Sequence, residues 1–105
     1  MSRCYRMEVE ITDFDSRNSK VIKAAAKKQW PFKEWEKDED GLGCSAESSL
    51  CGGESEEEFG ERLTVAIWRA NGAYCDVLIT ATYLEIEPPS VEHQLDEGDY
   101  ERLLG

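Results

Sequence analysis

The sequence predicts a single α+β domain of the ferredoxin-like, split βαβ class, and three observations carry that expectation. Polar and apolar residues alternate near the start of the chain and again in its second half. Between them lie two segments with helical periodicity and recognisable ends, and the full order is strand, helix, strand, strand, helix, strand. With 105 residues, 40% of them hydrophobic and 33% charged, the chain has material for one core.

Residues 4 to 14 set Tyr5, Met7, Val9 and Ile11 against Arg6, Glu8, Glu10 and Thr12, the period of a strand with one buried face. Asp13, Asp15 and Ser16 supply turn and cap side chains. Arg17 to Trp30 then reads as a helix with Ile22, Ala25, Ala26 and Trp30 inward and Lys20, Lys23 and Lys27 facing water. Pro31 ends it. Phe32 to Lys37 alternates once more, with Phe32, Glu34 and Glu36 opposite Lys33, Trp35 and Lys37, and suits an edge strand whose charges discourage pairing with another chain. Asp38-Glu39-Asp40-Gly41 turns the chain into a partner strand over Leu42 to Cys51.

Ser55 and Glu58 form a capping box ahead of Phe59, Leu63, Ala66, Ile67 and Ala70, and Asn71-Gly72 closes that second helix. Tyr74 to Glu87 is a long strand, apolar on both faces and so expected to be covered on each, ending at Pro88-Pro89. Right-handed crossovers give the antiparallel sheet order 4-1-3-2, with both helices on one face and the other face open. The domain spans residues 1–87. Residues 88–105 are a tail expected to pack on it, with a short strand through Val91, His93 and Leu95 and a helical turn through Tyr100, Leu103 and Leu104.

Net charge is −11 and strongly segregated: residues 1–33 carry +4, residues 34–61 carry −10 and residues 85–105 carry −6. Such a surface repels nucleic acid and anionic membrane and attracts basic partners. The acidic surface assigned to partner binding is Glu34, Glu36, Asp38, Glu39, Asp40, Glu54, Glu56, Glu57, Glu58 and Glu61, all read as solvent-facing. Arg62 is read as the partner of Glu58, one turn away. Trp68 falls outside the apolar stripe of its helix, so it is either an exposed contact anchor or a residue covered by the tail.

Catalytic chemistry finds little support. The one histidine, His93, lies in the tail, and Gly52-Gly53 is ringed by glutamates that would repel a phosphate. The four cysteines form no C-x-x-C pair, so neither a zinc site nor a redox motif is expected. Cys4 and Cys51 would meet on the open face as a thiol pair. RNA binding is disfavoured, because that face would present Arg6, Glu8, Glu10, Ser45, Glu47 and Ser49 rather than aromatic rings.

The expectation is a cytoplasmic, non-enzymatic domain without cofactor or metal that binds a protein with a basic surface, and neither nucleic acid nor membrane. Two alternatives stand beside it. One is a nucleic-acid mimic that inhibits a DNA- or RNA-handling protein, as phage-type anti-defence inhibitors do. The other is a homodimer formed through the open sheet face.

Overall fold

The structure, a computed structural model, describes residues 3–37, 41–50, 54–84 and 90–104. The elements are β1 (Arg3–Thr12), α1 (Ser19–Gln29), β2 (Glu36–Lys37), β3 (Gly41–Leu50), α2 (Glu56–Asn71), β4 (Asp76–Tyr83), β5 (Val91–Gln94) and α3 (Glu97–Leu103). The architecture is α+β, with three helices and an antiparallel five-stranded sheet in the order β2-β3-β1-β4-β5. The sheet therefore differs in detail from the four-stranded expectation: β5 adds a strand outside β4.

β1 is the centre, paired along its length with β3 on one side and β4 on the other. Its alternation decides which face is inside. Tyr5, Met7, Val9 and Ile11 are buried against the helices, together with Val77, Ile79 and Ala81 of β4 and Leu42, Cys44 and Leu50 of β3. Each large apolar side chain buried in this way stabilises the fold by about 1.5–3 kcal/mol. Among the described residues no layer covers the opposite face. Leu78, Thr80 and Thr82 of β4 are only half-buried there, so the described residues do not supply the two-sided cover expected from the apolar pattern of β4.

One turn of 3-10 helix at Ser16–Asn18 precedes α1, which is therefore shorter at its start than expected. Asp15 caps that turn by accepting from the Arg17 amide. Trp30 ends α1 in an extended conformation (φ −154°, ψ 147°), as a residue before proline must be. Its indole donates to the Ala46 carbonyl at 2.9 Å, and its ring meets Phe59 edge-on at 4.9 Å, which fixes both helices against β3.

The hairpin departs most from expectation, since among the described residues only Glu36 and Lys37 of its first arm pair with β3. Phe32 is buried and packs on Trp35 with ring centroids 5.6 Å apart, while Glu34 is exposed, so the segment does not alternate as one strand. The backbone amides of Lys33 and Glu34 approach the Cys44 thiol instead of continuing the ladder. Burial of Phe32 outweighs a few edge hydrogen bonds.

α2 begins with the expected capping box, Ser55 accepting from the Glu58 amide at 3.1 Å and Glu58 from the Ser55 amide at 3.2 Å. Gly72 ends it at φ 78°, in the left-handed region. Its buried stripe is Phe59, Gly60, Leu63, Thr64, Ile67, Trp68 and Asn71, rotated from the expected set because the chain after β4 packs on that flank. Ala66 and Ala70 are only half-buried. Asn71 ties two loops together, accepting from the Asp15 amide at 2.9 Å and donating to the Ala73 carbonyl at 3.0 Å.

Ser55→Ala removes one half of the capping box and is expected to destabilise the fold by about 1 kcal/mol. Thermal denaturation should show a midpoint about 5 °C lower. An unchanged midpoint would mean that the cap contributes nothing to global stability.

Candidate partner-binding surface

The uncovered face of the sheet is built by the same alternation that builds the core. Arg6, Glu8 and Glu10 of β1 are exposed on it, as are Ser45 and Glu47 of β3. Register sets Arg6 opposite Glu47, Glu8 opposite Ser45 and Glu10 opposite Gly43, and Gly43 in turn opposite Glu36. Arg6 pairs with Glu47 at 2.7 Å, with both side chains about half exposed, so the pair contributes at most about 1 kcal/mol. Among the described residues no ion pair engages Glu8, Glu10, Glu34 or Glu36. These four border a hollow of about 350 Å3, with Trp35 on its wall and Gly43 leaving its floor open.

The acids of the second helix are deployed differently, and this corrects the reading that all of them face solvent. Glu54 is bound to Arg62 through two hydrogen bonds, 2.8 and 3.1 Å, and Arg62 also donates to Gln29 of α1 at 2.8 Å. Arg62 thus pairs with Glu54 rather than with Glu58, whose carboxylate is held in the capping box. Glu56, the first residue of α2, accepts from the Tyr5 hydroxyl of β1 at 2.8 Å and is bonded to His93 Nε2 of β5 at 3.2 Å. Glu57, Glu58 and Glu61 remain exposed on α2, in the helical layer. Asp38, Glu39 and Asp40 lie outside the described residues.

The acidic block of the sequence therefore does not make one surface. Glu34 and Glu36 join Glu8 and Glu10, which belong to a distant stretch of chain. The sequence placed Glu8, Glu10 and Glu47 on the open face but did not count them with the binding acids. The signal was present in the alternation of β1, whose polar members are the residues left outside once the core is chosen.

Trp68 is only 1% exposed, so it is not a surface anchor. Its indole donates to the Cys75 carbonyl at 2.8 Å, and Tyr100 of α3 covers it edge-on at 5.2 Å. Tyr74 completes this cluster, and its hydroxyl donates to Asp76 at 2.9 Å. Burial, reinforced by the Asp76 charge, pushes the Tyr74 hydroxyl up to about 12.

Of the expected thiol pair, Cys4 is exposed, with its sulfur 3.8 Å from the Ser49 hydroxyl, and Cys51 lies outside the described residues. Cys44 and Cys75 are buried in the core. Among the described residues no group of three or more His, Cys, Asp or Glu side chains is placed to hold a metal ion. No helix among them is long and apolar enough to cross a membrane.

No family model, curated protein or solved structure matches this chain.

Burial raises the Cys44 thiol and drives that of Cys75 up to about 12, with Asp76 and Asp13 adding to the latter. Thiolate is the reactive form, so both should resist alkylation in the native protein at about pH 8 and label fully in denaturant. Peptide mass spectrometry after brief iodoacetamide treatment checks this. Native labelling of Cys75 as fast as in denaturant would contradict its burial.

Proposed function

We propose that the domain is a non-enzymatic binding module, cytoplasmic and cofactor-free, whose acidic open sheet face receives a basic surface of a partner protein. A ferredoxin-like scaffold, extended by a fifth strand, holds that face rigid. The observation that carries the reading is the convergence of Glu8, Glu10, Glu34 and Glu36 on one hollow without a basic side chain among the described residues to neutralise them. Like charges brought together on a folded surface oppose folding, and a cationic partner relieves that repulsion. Lys20, Lys27 and Lys28 lie on α1, in the helical layer, so the field of the domain has a direction. A basic partner is steered toward the sheet face and away from α1.

A second reading is favoured by the regularity of these acids. Strand residues two apart project on the same side about 6.6 Å from one another, and Glu8 with Glu10 forms such a pair on β1. A row of this kind imitates a phosphate backbone, and the partner would then be a DNA- or RNA-handling protein that the domain blocks. Self-association through the same face sets carboxylates against carboxylates, which makes the homodimer the least favoured reading.

Reversing Glu8, Glu10 and Glu36 to Lys should abolish capture of basic proteins, whereas reversing Glu57 and Glu61 should leave it within about twofold of wild type. Affinity capture with quantitative mass spectrometry at about 50 and 300 mM salt reads both arms, with captured proteins released at the higher salt. Competition by added DNA or RNA distinguishes the mimic. Capture that survives the sheet reversals, or that ignores salt, contradicts the assignment of this face.

A further inference from the structure

The chain after β4 holds on to the domain under unusual conditions. Residues 90–104 carry −4, and they return to a helix whose first two turns hold Glu56, Glu57, Glu58 and Glu61. Glu92 of β5 borders the same cleft as Glu57 and Glu61, a hollow of about 340 Å3 between α2 and β5. Like charges therefore face each other across the joint, where opposite charges would stabilise it.

Neither β5 nor α3 contributes a buried residue. Both nonetheless lie over parts of the core. Tyr100 closes the Trp68–Tyr74 cluster, with rings 5.2 and 6.0 Å away, and β5 pairs with the outer edge of β4 through Leu78–Ala81. Besides that ladder, Leu95, Leu103 and Leu104 pack half-buried on the core and Ser90 hydrogen-bonds to Thr82 at 2.6 Å, while His93 hydrogen-bonds to Glu56 at 3.2 Å and keeps only 18% of its side chain exposed. An edge strand and terminal helix with no fully buried side chain, opposed by charge, open at a free energy well below that of the whole domain.

We infer that β5 and α3 form a clasp that opens as a unit while the rest of the domain stays folded, uncovering the Trp68–Tyr74 aromatic cluster and the edge of β4. The clasp is a built-in cover over a sheet edge and an apolar patch, and ionic strength sets its hold. Salt screens the repulsion between the tail and α2 and so tightens it, the opposite of the effect of salt on the proposed partner surface. The two surfaces are independent: the clasp lies beyond β4, and the acidic hollow lies between β1 and β2.

Backbone geometry supplies a test internal to one strand. The Leu84 amide donates to the Cys4 carbonyl at 3.0 Å, which directs the backbone of Cys4 toward β4. Alternation along antiparallel strands then directs Leu78 and Thr80 of β4 toward β1, and Ile79 and Ala81 toward β5. Clasp opening frees the amides of Ile79 and Ala81 and leaves those of Leu78 and Thr80 bonded.

Native-state hydrogen exchange of the full chain, read residue by residue by NMR, tests this. Ile79 and Ala81 should exchange at least about tenfold faster than Leu78 and Thr80, after correction for intrinsic rates, and with little dependence on denaturant. Raising salt from about 50 to 300 mM should slow them. His93→Ala and Tyr100→Ala should each speed Ile79 and Ala81 severalfold relative to Leu78 and Thr80 in the same sample, an internal ratio that general destabilisation does not move. Equal protection of all four amides, or a ratio that neither substitution changes, would overturn the clasp.

Discussion

Everything in this structure depends on the one-sidedness of β1. A central strand paired on both edges has only its two faces left to differ, and here Tyr5, Met7, Val9 and Ile11 take the helical side and leave Arg6, Glu8 and Glu10 in water. A slip of one residue in either ladder would bury those charges and expose the apolar set, so the hydrophobic effect fixes the register. β3 and β4 follow the same division: Leu42, Cys44, Val77 and Ile79 go inward, and Ser45, Glu47 and Thr80 go outward. The core and the candidate surface are two faces of one pattern.

Much of this division could be read from the sequence, because period-two alternation and a capping box are local signals. β1, α2 and the hairpin partner β3 were recognisable within a residue or two. What escaped was decided by distant contacts. β2 shrinks to two residues because Phe32 finds a place under the sheet. Trp68 is buried because Tyr100, 32 positions along the chain, returns to cover it. The helical stripe predicted from apolar residues alone missed Gly60, Thr64 and Asn71, which are buried by what packs on them rather than by their own hydrophobicity.

The acids show the same lesson at the level of the site. A run of carboxylates in sequence suggested one continuous surface, yet the fold uses some of them as structural ligands. Glu54 holds Arg62, Glu56 joins Tyr5 to His93, and Glu58 caps its own helix. Such acids are occupied and poorly suited to a partner. Glu8, Glu10, Glu34 and Glu36 have no comparable structural task, and it is this lack of internal employment, more than total charge, that marks them.

The central claim is that these carboxylates serve binding and not folding, and one paired measurement tests it most directly. A variant carrying Glu8→Gln, Glu10→Gln and Glu36→Gln keeps the shape and removes the charge. Its thermal midpoint and its affinity for the captured partner can be read from the same preparation. The midpoint should equal or exceed that of wild type, because repulsion is relieved, while binding weakens at least about tenfold. A lower midpoint with binding unchanged would contradict it.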